Sequence, residues 1–161
     1  MGYMQYDLDM IKEELLTLPE YDNQIYLQGS YLDMDPISPT IDQNYLHVDS
    51  NEAEYSINLF DTLPYINSIM DEHKLLRTRV MKMKPRTCYY WHFDNTKRLH
   101  IPIVTNPHCF LLIDGTQIHL PATGEAYIMD TTKPHTALNA SKEDRIHIVG
   151  AFGEFVFHQS V

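Results

Sequence analysis

A chain of 161 residues with 12 Lys or Arg against 22 Asp or Glu carries a formal net charge of −10, which argues against a broad phosphate-binding face, because nucleic-acid binders cluster cations on one side. A hydrophobic fraction of 43% is enough to fill a core and argues against wholesale disorder. No apolar run approaches the roughly 20 residues that span a bilayer, and Met1–Asp7 has neither a basic nor an apolar stretch of the kind that opens an export signal.

Leu8, Ile11, Leu15 and Leu18 fall three, four and three residues apart, the spacing of one apolar helix stripe. Asp7 caps this helix, Asp9 lies in its first turn and Pro19 stops it. Residues 21–50 are rich in Tyr, Asp, Pro and Ser, with Pro36 and Pro39 interrupting any long element, so short strands and loops are expected there. A second helix is predicted from Pro64 to His73, with proline in its first turn and Ile66, Ile69 and Met70 on one face.

From Arg77 onward, short β-branched and aromatic segments alternate with turn signals. Strands are predicted near 77–83, 86–93, 98–104, 108–113, 116–120, 125–130, 134–138 and 144–152. Asp114-Gly115 between two apolar runs is a strong hairpin signal. Eight closely spaced strands point to a mainly β jelly-roll or cupin-like barrel with the N-terminal helices packed outside. The simplest organisation is one domain over 1–161, helical and irregular over 1–76, with the barrel core over 77–157.

Chemistry concentrates in the string from Tyr89 to Val104. If it runs as a strand, His92 and Asp94 project to the same side. They supply two of the three ligands of the 2-His-1-carboxylate arrangement, which binds iron(II) and leaves other positions open. His135, just past Pro134, is the best third ligand. Arg98 and His100 are again two apart, and Arg145 and His147 alternate with Ile146 and Ile148, the pattern of a strand with one polar lumen face and one packed face. A buried arginine needs an anionic partner, and a guanidinium matches a carboxylate bidentately. A dicarboxylate that chelates the metal at one end and pairs with an inward arginine at the other fits these elements, and 2-oxoglutarate is such a molecule.

The order His-x-Asp, Arg-x-His-hydrophobic-Pro-hydrophobic, a distal His and then an Arg ten residues later resembles the aspartyl/asparaginyl β-hydroxylase family of iron(II)- and 2-oxoglutarate-dependent oxygenases. The resemblance covers about residues 77–152 and implies a double-stranded β-helix. It implies His92 and His135 as metal ligands and Asp94 as the carboxylate ligand that some members keep and the animal enzymes replace by glycine. It also implies that Arg98 and His100 contact the cosubstrate near the metal, and that Arg145 pairs with its far carboxylate. Two departures stand out: the loop from His92 to Arg98 is shorter than in the animal enzymes, and Met81 stands where a hydroxyl donor to the cosubstrate is expected.

Other candidates have blander readings. His47, His73, His108, His119 and His158 have no partner at ligand spacing. Met81 and Met83 read as packing, Lys82, Lys84 and Arg86 as a solvated face, Asp130 as a turn cap, and Tyr89, Tyr90 and Trp91 as barrel wall. Two cysteines, Cys88 and Cys109, make no disulfide framework and read as buried thiols in a reducing cytoplasmic compartment. The functional expectation is an oxygenase that hydroxylates an amino acid or a peptidyl side chain, with no nucleic-acid or membrane partner. The alternatives are a cupin-like metal enzyme that does not use 2-oxoglutarate and a non-catalytic small-ligand-binding barrel.

Overall fold

The computed structural model describes residues 4–39, 41 and 52–153; His47, His158 and the end of the predicted barrel range at 154–157 lie outside them. In chain order the elements are α1 (Leu8–Leu15), β1 (Gln24–Tyr26), β2 (Gln28–Gly29), a 3-10 turn at Glu52–Glu54, β3 (Ile57–Asn58), α2 (Pro64–Glu72), β4 (Leu76–Met83), β5 (Thr87–Cys88), β6 (Arg98–Val104), β7 (Cys109–Ile113), β8 (Thr116–Ile118), β9 (Tyr127–Met129), β10 (His135–Asn139) and β11 (Arg145–Ala151).

Asp7 caps α1 through its side chain, which accepts from the Met10 N–H. The helix closes three residues before the expected Leu18 because the Thr17 N–H turns back to the Glu14 carbonyl, a tighter i−3 bond. No side chain of its own caps α2. Instead Glu14 of α1 accepts from the N–H groups of Tyr65 and Ile66 at 2.6 and 2.9 Å. One carboxylate thereby satisfies two orphan donors at a helix N-terminus, where the macrodipole also favours negative charge.

Two antiparallel sheets face each other, in strand order β1-β4-β11-β6-β9 and β5-β10-β7-β8. From β4 onward successive strands alternate between the two sheets, except at the β7–β8 hairpin, so β4, β11, β6 and β9 oppose β5, β10, β7 and β8. This is the jelly roll expected from the strand count and the double-stranded β-helix that the family resemblance implies. The β7–β8 hairpin turns at Asp114 and Gly115, both at positive φ (49° and 79°), the backbone that a two-residue primed turn requires.

Register decides which side chains meet. Arg145, His147 and Val149 of β11 lie opposite Met83, Met81 and Arg79 of β4, while His147, Val149 and Ala151 lie opposite Pro102, His100 and Arg98 of β6. Residues directly opposite share a face, so Arg98, His100, Arg145 and His147 all project into the lumen between the sheets. The other face of the same strands carries Val80, Leu99, Ile101, Ile103 and Ile148, which form one core with Ile11, Leu63, Ile66, Ile69 and Met70. Each fully buried Leu or Ile there contributes about 1.5–3 kcal/mol. The helices thus cover one face of the larger sheet and leave its inner face for polar groups.

The predicted strand over 86–93 shortens to Thr87–Cys88. Its aromatic residues leave the sheet: Tyr90 and Trp91 are 93% and 60% exposed, forming a rim instead of a barrel wall, while Tyr89 packs inward beside Leu111 and Met129. Cys88 is exposed and only Cys109 is buried, because β5 is an edge strand with both residues in solvent.

Candidate metal centre

His92 and Asp94 come together without a regular strand. Beyond β5 the chain continues antiparallel to β10: the His92 N–H donates to the His135 carbonyl at 3.1 Å and the His135 N–H donates back to the His92 carbonyl at 2.8 Å. Two residues on, the Asp94 N–H donates to the Thr131 carbonyl at 2.8 Å. These backbone bonds bring all three expected ligands to one mouth of the lumen. His92 Nε2 lies 3.9 Å from Asp94 Oδ1 and His135 Nε2 lies 3.6 Å from Asp94 Oδ2. The three donor atoms all fall within 4.8 Å of one another.

The ring tautomers suit ligation. His92 Nδ1 meets the Tyr90 carbonyl at 2.6 Å and His135 Nδ1 meets the Lys133 carbonyl at 2.9 Å. A carbonyl only accepts, so each Nδ1 carries a proton, which in the neutral ring leaves the lone pair on Nε2. Burial lowers the His135 pKa, against the opposing pull of the Lys133 carbonyl and Asp94, which keeps the ring neutral and able to bind a metal. Two imidazoles and one carboxylate, with no fourth His, Cys, Asp or Glu joined to them among the described residues, form a donor set that fits an iron(II)-type ion with open positions.

Arg98 is fully engaged beside this group. Its Nε lies 3.3 Å from Asp94 Oδ2. Its two terminal nitrogens donate to Glu52 Oε2 and Oε1 at 3.1 and 2.9 Å, and one also donates to Thr96 Oγ1 at 2.6 Å. Glu52 also accepts from Arg77 at 2.7 Å. Burial pushes the Glu52 carboxyl up, but Arg98 and Arg77 outweigh it and hold the group below its usual range. Sequence reasoning missed Glu52, which sits 46 residues before Arg98 in a stretch with no motif.

His100 and His147 are buried side by side, Nδ1 to Nδ1 at 3.1 Å. Burial, reinforced by Arg145 and Arg98, lowers His100 to about 3; burial and Arg145 push His147 well below its ordinary value. Both rings are therefore neutral. Arg145 lies at the floor of the lumen. Along β10, His135 marks the mouth and Asn139 the floor, about 13 Å apart at the usual rise per residue. Asn139 pairs with Cys109, and Cys109 lines a cavity of about 10 Å³ together with Arg145, His147, Leu111, Ile118 and Leu120. Arg145 is 3% exposed, and burial pulls its guanidinium below the ordinary arginine value. Its Nε, like Nε2 of His147, has no hydrogen-bond partner, and no acid pairs with it among the described residues.

The remaining candidates are structural. Lys84 pairs with Asp22, and Lys82 stands 4.6 Å over the Tyr21 ring. Asp130 accepts from Thr132, which caps its turn. His119 meets the Cys109 carbonyl and His73 meets the Tyr6 hydroxyl. Met83 packs in the second core. No helix among the described residues is long and apolar enough to cross a membrane.

Comparison with known proteins bears on this arrangement. The profile of the aspartyl/asparaginyl beta-hydroxylase family matches residues 7–152. An L-proline cis-4-hydroxylase of Rhizobium meliloti (strain 1021) is 27% identical over 123 residues, covering 70% of this chain and 44% of that protein; the chain therefore spans less than half the length of this relative. Among solved structures, a cupin domain from Bordetella pertussis is similar with a TM-score of 0.40 and 16% identity, over 48% of this chain and 81% of that one. A predicted oxalate decarboxylase from Thermotoga maritima is similar with a TM-score of 0.42 and 14% identity, over 53% and 71%. With its profile matched from α1 through β11, the chain belongs to the aspartyl/asparaginyl β-hydroxylase family.

Proposed function

We propose that this protein is an iron(II)- and 2-oxoglutarate-dependent dioxygenase, one catalytic domain acting in the cytoplasm, that hydroxylates a free amino acid or a peptidyl side chain. His92, Asp94 and His135 are the metal ligands. The observation that carries the cosubstrate is Arg145, a buried guanidinium in the same lumen as the triad, without an acid partner among the described residues. An unpaired buried charge is costly, and a carboxylate arriving from solution removes that cost.

A bound iron(II) ion would let dioxygen act as the oxidant, one oxygen atom going to 2-oxoglutarate as it becomes succinate and carbon dioxide and the other entering an unactivated C–H bond. The chain's own residues do the rest. His92 and His135 present lone pairs because backbone carbonyls hold their Nδ1 protons. Asp94 contributes the negative charge. Arg145 anchors the far carboxylate of the cosubstrate, and Arg98 and His100 line the path between floor and metal. Neutral His100 adds no further cation to a lumen that already holds Arg98 and Arg145, while the core of Leu111, Ile113 and Met129 excludes water.

The test is anaerobic loading with iron(II), then 2-oxoglutarate, oxygen and panels of amino acids and peptides, following succinate by NMR. Substrate-dependent succinate is expected; His135→Ala abolishes metal binding and succinate together, whereas Arg145→Ala keeps the metal and sharply raises the 2-oxoglutarate requirement. Normal turnover by Arg145→Ala refutes the cosubstrate assignment. A metal enzyme that does not take 2-oxoglutarate is the second reading, favoured by the narrowness of the space beside Arg145. Metal-dependent turnover without succinate identifies it.

A further inference from the structure

We propose that Glu52 is a positioning residue for the metal centre: by clamping the guanidinium of Arg98 it holds Asp94 in place as a ligand, and so couples the docking of the Glu52–Glu54 turn to metal loading. The proposal rests on the reading of His92, Asp94 and His135 as a metal centre and extends it to a part of the chain far from any motif.

The geometry is that of a fork held at its tip. The two terminal nitrogens of Arg98 meet the two oxygens of Glu52, one each, at 3.1 and 2.9 Å. A bidentate pair fixes the plane of the guanidinium as well as its position. That leaves Nε beside Asp94 Oδ2, an ion pair 3.3 Å apart. Arg98 and Glu52 are 5% and 7% exposed, so water does not screen the pair as it would on the surface. Released from Glu52, Arg98 is free to turn its terminal nitrogens onto Asp94 and compete with a metal ion for both carboxylate oxygens. Groups that orient a metal ligand from behind typically change affinity about 10–100-fold when removed.

The turn that supplies Glu52 has its own anchors. The Tyr55 N–H donates to the Glu52 carbonyl, the Arg77 N–H donates to the Tyr55 carbonyl, and the Tyr55 hydroxyl donates to Asp33 Oδ2 at 2.6 Å. Tyr55→Phe loosens the same turn and leaves the Glu52–Arg98 pair intact, so it separates positioning from mere anchoring.

Co(II), added to the full chain under anaerobic conditions, is the probe. Affinity is read by calorimetry and ligand geometry by the visible absorption of the bound ion. Glu52→Ala is expected to weaken Co(II) binding about 10–100-fold and to alter the absorption bands. Glu52→Gln, which keeps the shape but loses the charge, falls between Ala and wild type, and Tyr55→Phe matches wild type. In the unmutated protein, Co(II) slows amide hydrogen exchange at Tyr55 and Arg77, because coupling between two sites is reciprocal. This measurement holds even if Glu52→Ala does not fold. Wild-type protein that takes up no Co(II) overturns the metal-centre reading itself. Wild-type binding with unchanged affinity and spectrum in the Glu52 variants, or exchange at Tyr55 and Arg77 indifferent to Co(II), overturns the role of Glu52 alone.

Discussion

Arg98 and Arg145 enter the same lumen from the adjacent strands β6 and β11, and both are almost fully buried. Arg98 is bonded to Glu52, Thr96 and Asp94, whereas Arg145 has no acid partner among the described residues and an Nε without an acceptor. The first is an internal part of the fold. In the proposed reading the second is the cation that receives the far carboxylate of the cosubstrate. Burial alone does not separate these roles; the distinction lies in whether the surrounding residues already neutralise the charge.

Substitution by a neutral residue of similar length turns that contrast into opposite signs. Arg98→Met leaves Glu52 and Asp94 short of a partner in the interior, and urea unfolding is expected to show a loss of about 3–5 kcal/mol. Arg145→Met removes a buried charge that has no counterpart, so the ligand-free variant is expected to gain about 1–4 kcal/mol. The same variant loses the extra stability that 2-oxoglutarate gives the wild type by mass action. If Arg145→Met is instead destabilised as much as Arg98→Met, the two arginines are equivalent and the contrast fails.

Acid sharpens the comparison from the histidine side. His100 is held neutral in the fold at about 3 and His147 well below its usual value, whereas in the unfolded chain both titrate near 6.5. Below pH 6.5 the unfolded chain therefore binds more protons, and stability falls as pH drops from 6.5 toward the folded values. Each such ring contributes a slope of about 1.4 kcal/mol per pH unit within that window. Urea midpoints at pH 7, 6 and 5 measure the sum, and a flat profile shows that the floor already tolerates charge. The smallest effect belongs to the rim: Tyr90→Ser, at a side chain 93% exposed, is expected to change stability by less than about 0.5 kcal/mol.

Much of this design is legible locally. β6 begins and ends at the residues the pattern predicts, Arg98 and Val104, because alternating polar and apolar residues on a strand between two layers leave little freedom of register. Asp114-Gly115 places its hairpin for the same kind of short-range reason. The run from Tyr89 to Phe93 misleads, since aromatic residues that favour strands here form an exposed rim; what pins the run is pairing with His135, some 40 residues later. The grouping of His92, Asp94 and His135 could be read through His-x-Asp and the family resemblance, although the regular strand assumed for it is absent. Glu52 could not, because a single acid acquires meaning only when the fold brings two arginines to it.

The pair of backbone hydrogen bonds that joins His92 to His135 also has an evolutionary consequence. The spacing of the two imidazoles is set by main-chain groups, which every non-proline residue possesses, and does not depend on what the neighbouring side chains are. Tyr90, Trp91 and Phe93 surround His92 and are largely in solvent, so selection can rewrite the entrance without disturbing the reactive centre. Under the proposed function, specificity and chemistry are thereby separable traits in this barrel, and grafting a new entrance onto an unchanged centre is the natural route to redirecting it.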